Sequence, residues 1–211
     1  MTDNIAAIVL AAGESRRMGE PKQLLPWGAH TIIEQIVETL EASPVDEILV
    51  VLGHRAEEIG AKVAALTARS ASDPDRTPAR ARTTLNPDYR SGMLSSLQHG
   101  IRALAEDARA CFIVLCDQPQ MKAATLRTLR TAFEQSGRGI VVPSFGMRRG
   151  HPLLIDLRKY KDAILAIDGP PGLQKLLRDH PNDILHVNID DPGVLADLDT
   201  REEYERARRA A

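Results

Sequence analysis

The chain predicts an α/β protein, a three-layer sandwich in which helices cover both faces of a mostly parallel sheet. Two observations carry this. Ile5 to Leu10, Glu47 to Gly53 and "CFIVLC" from Cys111 are continuous apolar runs, the look of strands buried on both faces. Between them lie segments whose apolar residues recur at helical spacing, such as Ile32, Ile33, Ile36, Val37 and Leu40. Strands alternating with helices imply right-handed crossovers and a Rossmann-like sheet.

The elements follow in order. A helix at about 31–40 leads to the strand at Glu47 and a helix from Ala56 to Leu66. Thr67 to Arg82 mixes Ser, Asp, Pro, Arg and Ala without period and reads as an exposed loop. A short strand, Thr83 to Leu85, precedes "NPDYRSG" and a helix from about Met93 to Ala105, with Leu94, Leu97, Ile101 and Leu104 on its core stripe. The apolar strand ending in "LCDQP" comes next, then a helix from Ala124 to Gln135. Strands "GIVVPSF" and "PLLI", helix "LQKLLRDH", strand "DILHVNI" and a C-terminal helix complete the chain. The turn in "FGMRRGHPLLI" suggests that two late strands form a hairpin, which makes one of them antiparallel.

With 211 residues the chain is read as a single domain over 1–211, long enough to bury about 70% of the unfolded surface. Its 27 Lys and Arg against 29 Asp and Glu provide no overall basic field for nucleic acid or an anionic membrane. The N-terminus lacks a basic leader and a spanning segment, which points to the cytoplasm. Cys111 and Cys116 lie an odd interval apart on one strand, so they face opposite ways and read as reduced core residues. The six histidines show no metal-binding spacing.

Ligands of such sheets sit beyond the carboxyl ends of the strands, where "LAAGESRRMGEPK" (Leu10 to Lys22) lies. Gly13 allows a sharp turn and close approach to a ligand, Ala11 and Ala12 keep bulk away, and Arg16, Arg17 and Lys22 bring cations suited to phosphates. The loop is neither a P-loop nor a dinucleotide fingerprint. Asp117 ends an apolar strand at the same rim, a place from which an acid can hold Mg²⁺. Asp197 and Asp199 in "DLDT" face one way if extended, and Thr200 with Glu203 fits a capping box.

"LAAGESRRMGEPKQLLPWG" resembles the signature of the molybdenum cofactor cytidylyltransferases, within the wider MobA-like nucleotidyltransferase family. "NPDYRSGMLSSLQHG", "LCDQP", "RGHPLLI", "DDPG" and "DLDT" follow in the family's order. The resemblance implies a fold of the nucleotide-diphospho-sugar transferase type. Its nucleotide-binding half covers about 1–120 and its acceptor-binding half about 121–211. It further implies Mg²⁺-dependent transfer of CMP from CTP to the terminal phosphate of a molybdopterin-type cofactor, with release of pyrophosphate, in the service of a molybdenum hydroxylase or its chaperone. Leu10, Ala11, Ala12, Gly13 and Ser15 would hold the nucleotide, with Asn86, Ser91, Gly92 and Ser96 at the base and ribose. Arg16, Lys22 and Asp117 would be catalytic, and Asp117 with Asp197 or Asp199 would bind the metal. Ser91 and Ser96 lie near a helix start, where their hydroxyls equally suit caps. Relatives that use GTP resemble L-A-G-G, so Ala12 favours CTP. The acceptor half departs from the family pattern, with Pro170 in place of an Asp and Gln174 in place of an Arg. Transfer to another small phosphate, such as a sugar or lactyl phosphate, and a non-catalytic cofactor carrier therefore stay open.

Overall fold

The structure is a computed structural model that describes residues 4–71 and 81–210. Its strands are β1 (Asn4–Leu10), β2 (Pro26–Trp27), β3 (His30–Thr31), β4 (Glu47–Leu52), β5 (Ala81–Leu85), β6 (Ala108–Leu115), β7 (Ile140–Phe145), β8 (Arg148–Arg149), β9 (Leu153–Asp156) and β10 (Ile184–Asn188). The helices are α1 (Ile32–Glu41), α2 (Ala56–Ala71), α3 (Met93–Ala103), α4 (Ala123–Ser136), α5 (Leu157–Leu165), α6 (Gln174–Asp179) and α7 (Arg201–Ala210).

One sheet of eight strands runs in the order β10-β7-β9-β6-β1-β4-β5, with β8 attached to β7. β1 is central and parallel to both β4 and β6. Its alternation decides the layers. Ile5, Ala7 and Val9 face a core shared with α1, α2, α4 and α7, while Ala6 and Ile8 face one shared with α3, α5 and α6. Cys111 and Cys116 lie in these opposite cores as expected, and burial pushes the Cys111 thiol up to about 12.

The antiparallel element is more elaborate than a hairpin added to the sheet. β7 turns through Gly146 and Met147 into β8, and β9 then enters between β6 and β7, antiparallel to both. The link from β7 to β9 is too short for the crossover that parallel pairing needs. Helix α5 is absent from the expected elements, although Leu157, Tyr160 and Ile164 have helical spacing and are buried. Asp156 starts it by accepting from the backbone N–H groups of Arg158 (2.9 Å) and Lys159 (3.3 Å). The hairpin of β2 and β3 is a further addition.

The expected exposed loop at Thr67 to Arg82 is shorter. α2 continues to Ala71 and β5 begins at Ala81, while 72–80 lie outside the described residues. Helix formers Ala68 and Arg69 prolong α2, and Arg69 reaches Glu34 on α1 at 3.5 Å. Arg82 extends β5 by donating to Glu47 on β4 at 2.9 Å. Among the described residues, no helix is long and apolar enough to cross a membrane.

Candidate functional site

β1 delivers Leu10 to the carboxyl edge of the sheet, and the chain leaves it as an anchored loop. Ala11 N–H donates to the Val51 carbonyl (3.0 Å), and the Ala12 carbonyl accepts from His54 N–H (3.1 Å). The left-handed residues of the loop are Ser15, at φ 51°, and Gly19, at φ 74°, rather than Gly13. The Ser15 hydroxyl secures that conformation by accepting from Lys22 N–H at 3.1 Å. Within the protein neither a positive φ nor crowding requires glycine at position 13, since a Cβ there would meet no heavy atom within 4 Å.

Gln23 organises the loop from beneath, and the sequence reading missed it. Its side-chain amide is 2% exposed and donates to the carbonyls of Ala11 (2.9 Å) and Gly13 (3.0 Å). A buried glutamine can satisfy both carbonyls only through the fold, although its place beside Lys22 was a usable hint.

Lys22 is the centre of the site. Its ammonium lies 3.0 Å from Asp117 Oδ2, 3.2 Å from the Leu198 carbonyl and 3.6 Å from Asp199 Oδ1. Arg17 approaches the same Asp199 oxygen at 3.0 Å. Arg16 is directed elsewhere. It pairs with Glu14 at 2.6 Å, and Arg90 takes the other oxygen of Glu14 at 3.0 Å. These two arginines hold the half-buried Glu14 carboxyl below its usual range.

The C-terminal segment reaches this rim through α7. Thr200 and Glu203 form the expected capping box, Thr200 N–H donating to Glu203 at 2.9 Å and Glu203 N–H to Thr200 Oγ1 at 3.2 Å. Glu203 also accepts from Asp199 N–H at 2.9 Å. Tyr204 packs near Trp27 and donates its hydroxyl to the Pro26 carbonyl at 2.6 Å, which ties α7 to the β2–β3 hairpin. Leu198 N–H donates to the Asp117 carbonyl at 2.9 Å, joining the two acid-bearing segments directly.

The three acids have different surroundings. Asp117 and Asp199 share Lys22, whereas Asp197 accepts from the Gln118 amide at 2.6 Å. Among the described residues no three His, Cys, Asp or Glu side chains are gathered as a metal-binding group. Burial pushes the Asp117 carboxyl above its ordinary value; Lys22 opposes this, and the charges of Asp197 and Asp199 add to it. Asp117 Oδ1 is buried and has no hydrogen-bond partner among the described residues.

On the other flank, Asn86 and Ser96 are 2% and 3% exposed and bind each other at 3.1 Å. Asn86 also donates to Ser95 Oγ (3.1 Å) and accepts from Asp88 N–H (3.0 Å), so its side chain holds the turn before α3. The helix start carries Gly92 as N-cap without a side-chain cap, and Ser95 rather than Ser91 or Ser96 ties the turn, through the Asp88 and Gly92 carbonyls. Ser91 and Gly92 border a cavity of about 730 Å³ that extends from Leu10 to the Asp168–Gly172 loop and α6. Its walls are apolar, with Leu94, Ile113, Leu153 and Leu177 among them, and Arg149, His151, Gln174 and Arg178 supply polar groups. Gln174 was already marked as a departure in the acceptor half, whereas motif reading gave Arg149, His151 and Arg178 no role.

Residues 7–184 match the MobA-like NTP transferase domain family. The chain is 28% identical over 204 residues to the molybdenum cofactor cytidylyltransferase of Escherichia coli strain K12, covering 97% of this chain and 95% of that protein. It is 30% identical over 210 residues to the nicotine blue oxidoreductase of Paenarthrobacter nicotinovorans, covering 96% and 95%. A solved nucleotidyl transferase from Methanothermobacter thermautotroptrophicus superposes with a TM-score of 0.78 at 25% identity, covering 98% of this chain and 97% of that one. With a glycine-containing loop, a cation and a cluster of acids at the carboxyl edge of a mostly parallel sheet, the chain belongs to the MobA-like NTP transferase domain family and is a nucleotidyltransferase.

Proposed function

We propose that the protein transfers CMP from CTP to the terminal phosphate of a molybdopterin-type cofactor, with Mg²⁺ and release of pyrophosphate. The observation that carries this reading is Lys22, whose ammonium joins Asp117 and Asp199 beside the Leu10–Gly13 loop. Similarity to a molybdenum cofactor cytidylyltransferase over 97% of the chain supports the choice of acceptor.

An acceptor phosphate oxygen forms a bond to the α-phosphorus of CTP, the bond from that phosphorus to the β-phosphate bridge oxygen breaks, and pyrophosphate leaves with the electron pair. Such a transfer asks little covalent chemistry of the protein, so positioning and charge neutralisation dominate. Leu10, Ala11, Ala12, Gly13 and Ser15 shape the nucleotide loop. Lys22 offsets charge on the departing pyrophosphate, and Arg16 joins it by exchanging Glu14 for a phosphate oxygen. Asn86, braced by Ser96, and Ser95 fix the turn that presents Ser91 and Gly92 to the cavity.

A divalent cation fits the donor set, because Asp117 Oδ1 is a buried carboxylate oxygen left without a partner among the described residues. Mg²⁺ needs only one or two protein carboxylates, with waters and phosphates completing its shell. Asp117, with Asp199 or Asp197, would hold it. When bound, it supplies neutralisation of the two anions that must meet.

The cavity receives the acceptor. Its walls come from both the 1–120 and the 121–211 halves, which suits a reaction at their junction. Gln174 removes a cation expected from the family pattern, but Arg178 lies one helical turn further along α6 and borders the same cavity with Arg149. Two arginines there suit an anionic acceptor. A molybdenum hydroxylase or its chaperone would take the product.

The test is pyrophosphate release with Mg²⁺, comparing CTP, GTP and ATP with and without molybdate-loaded molybdopterin. Release that requires both CTP and the pterin is expected. Release with CTP and a sugar or lactyl phosphate instead would move the acceptor, and CTP binding without release to any acceptor would favour a carrier. Because one relative is named a nicotine blue oxidoreductase, turnover of nicotine blue is followed in parallel; turnover there without pyrophosphate release would refute the proposal.

A further inference from the structure

We propose that His151 is an acceptor-contacting residue, with its Nδ1 placed to hydrogen-bond the attacking phosphate of a phosphate monoester. This rests on the transfer reading above. His151 lies in the "RGHPLLI" segment, to which the sequence reading gave no role, and its role here is drawn from its place in the fold.

His151 stands where the acid rim and the cavity meet. It borders the cavity, and the charges of Asp117 and Asp197 both act on its ring. Its backbone is held from two sides. Gly150 N–H donates to the Pro143 carbonyl on β7 at 2.8 Å, and His151 N–H donates to the Val194 carbonyl at 2.9 Å. The fit against the Val194 turn is tight, since a Cβ on Gly150 would lie 2.2 Å from the Val194 carbonyl oxygen. The same turn leads directly to Asp197 and Asp199. The backbone at His151 is thereby fixed to the segment that carries the acids.

Within this arrangement Nδ1 is buried and has no hydrogen-bond partner among the described residues. A buried polar atom left unpaired costs about 1–3 kcal/mol, so a ligand atom that satisfied it would recover that cost on binding. Burial also pushes the imidazole below its usual value, against the pull of Asp197 and Asp117, and so favours the neutral ring. A neutral ring has one N–H, and the tautomer protonated at Nδ1 can donate to a phosphate oxygen. Such a donor orients the attacking anion without adding a full positive charge that would blunt it as a nucleophile. Arg149 and Arg178, bordering the same cavity, are available to bind charge further from the reacting atoms.

Three variants test the assignment. His151→Asn retains an amide near the position of Nδ1, His151→Gln moves it outward toward Nε2, and His151→Ala removes it. The KM for molybdate-loaded molybdopterin is expected to rise about tenfold or more in Ala and Gln, the scale of one lost hydrogen bond to a charged group. Asn should stay near the wild type, and CTP affinity with Mg²⁺, measured by calorimetry, should be unchanged in all three. Unchanged acceptor KM in every variant, or a parallel loss of CTP affinity, would overturn the assignment.

A second measurement separates His151 from the choice of acceptor. Protein labelled with ¹⁵N at histidine and loaded with CTP and Mg²⁺ is titrated with molybdopterin and with phenyl phosphate, a plain phosphate monoester. A saturable shift at His151 Nδ1 with either supports the contact, even if the wild type fails to transfer to molybdopterin, in which case only the acceptor reading falls. No shift with either ligand would refute the contact, even in an enzyme that turns over normally.

Discussion

Replacing Lys22 by Met retains the apolar stem and removes the charge that joins Asp117 to Asp199. At 3.0 Å and an effective dielectric near 20, attraction to Asp117 is about 5 kcal/mol before desolvation is subtracted. The Lys22 and Asp117 side chains are only 17% and 21% exposed, so breaking the pair leaves a largely buried carboxylate uncompensated. Such losses cost about 3–5 kcal/mol, and we expect the low end because Asp117 can take up a proton. Asp199 is 39% exposed and adds about 1 kcal/mol or less, since water screens it. Lys22→Met should therefore lower stability by about 3 kcal/mol in urea denaturation near pH 7. Lys22→Met combined with Asp117→Asn should recover much of that loss, because no lone carboxylate remains. Turnover should behave differently, falling about 10²-fold or more in Lys22→Met and Lys22→Ala alike, with no recovery in the double variant. A Lys22→Met protein as stable as the wild type, or double-variant stability equal to the sum of the singles, would refute the coupling.

Asp117→Asn by itself should also reduce turnover by about 10²-fold or more, and near-normal pyrophosphate release would remove it from the reaction. Its effect on stability has a defined pH sign. Burial raises the folded value of this acid, so the native state holds the proton more firmly than the unfolded chain. The carboxyl's contribution to stability is greatest below the ordinary value and declines as pH rises through the raised one. Wild-type stability minus that of Asp117→Asn should thus fall from about pH 4 upward, and a flat difference in urea melts would argue against burial as the main cause. Gln23→Leu leaves the Ala11 and Gly13 carbonyls without their donor, which should cost about 1–3 kcal/mol and raise the KM for CTP; a wild-type KM would show that the loop holds its shape unaided. Ala12→Gly should raise use of GTP relative to CTP, by at most the 10- to 200-fold that about one methylene commonly governs. An unchanged ratio in competition assays would mean that the base is read elsewhere.

Part of the architecture was legible because burial writes a local pattern. Ile5 to Leu10 reads as a strand covered on both sides, and each of its faces does enter a core. The capping box at Thr200 and Glu203 was equally local, as both residues lie within one helical turn. Helix α5 had a readable signal in Asp156, Leu157, Tyr160 and Ile164, but it begins where β9 ends and was merged into the surrounding chain. The insertion of β9 between β6 and β7 had no comparable trace, since strand order depends on pairing between distant segments. Gly13 was credited with a turn that Ser15 makes, because glycine allows a left-handed conformation without requiring it.

The sequence by itself determined the alternation of strands and helices, the loop after β1 with its cations, and the acids that follow β6 and precede α7. Periodicity, chain breaks and residue chemistry act over a few positions, and all three survive in a linear reading. Only the tertiary structure decided that Lys22 meets Asp117 and Asp199, that Gln23 supports the loop carbonyls, and that His151 stands between the acid rim and the cavity. Those contacts join segments far apart in the chain, and they arise where sheet pairing and helix packing bring the carboxyl ends of separate strands to one edge.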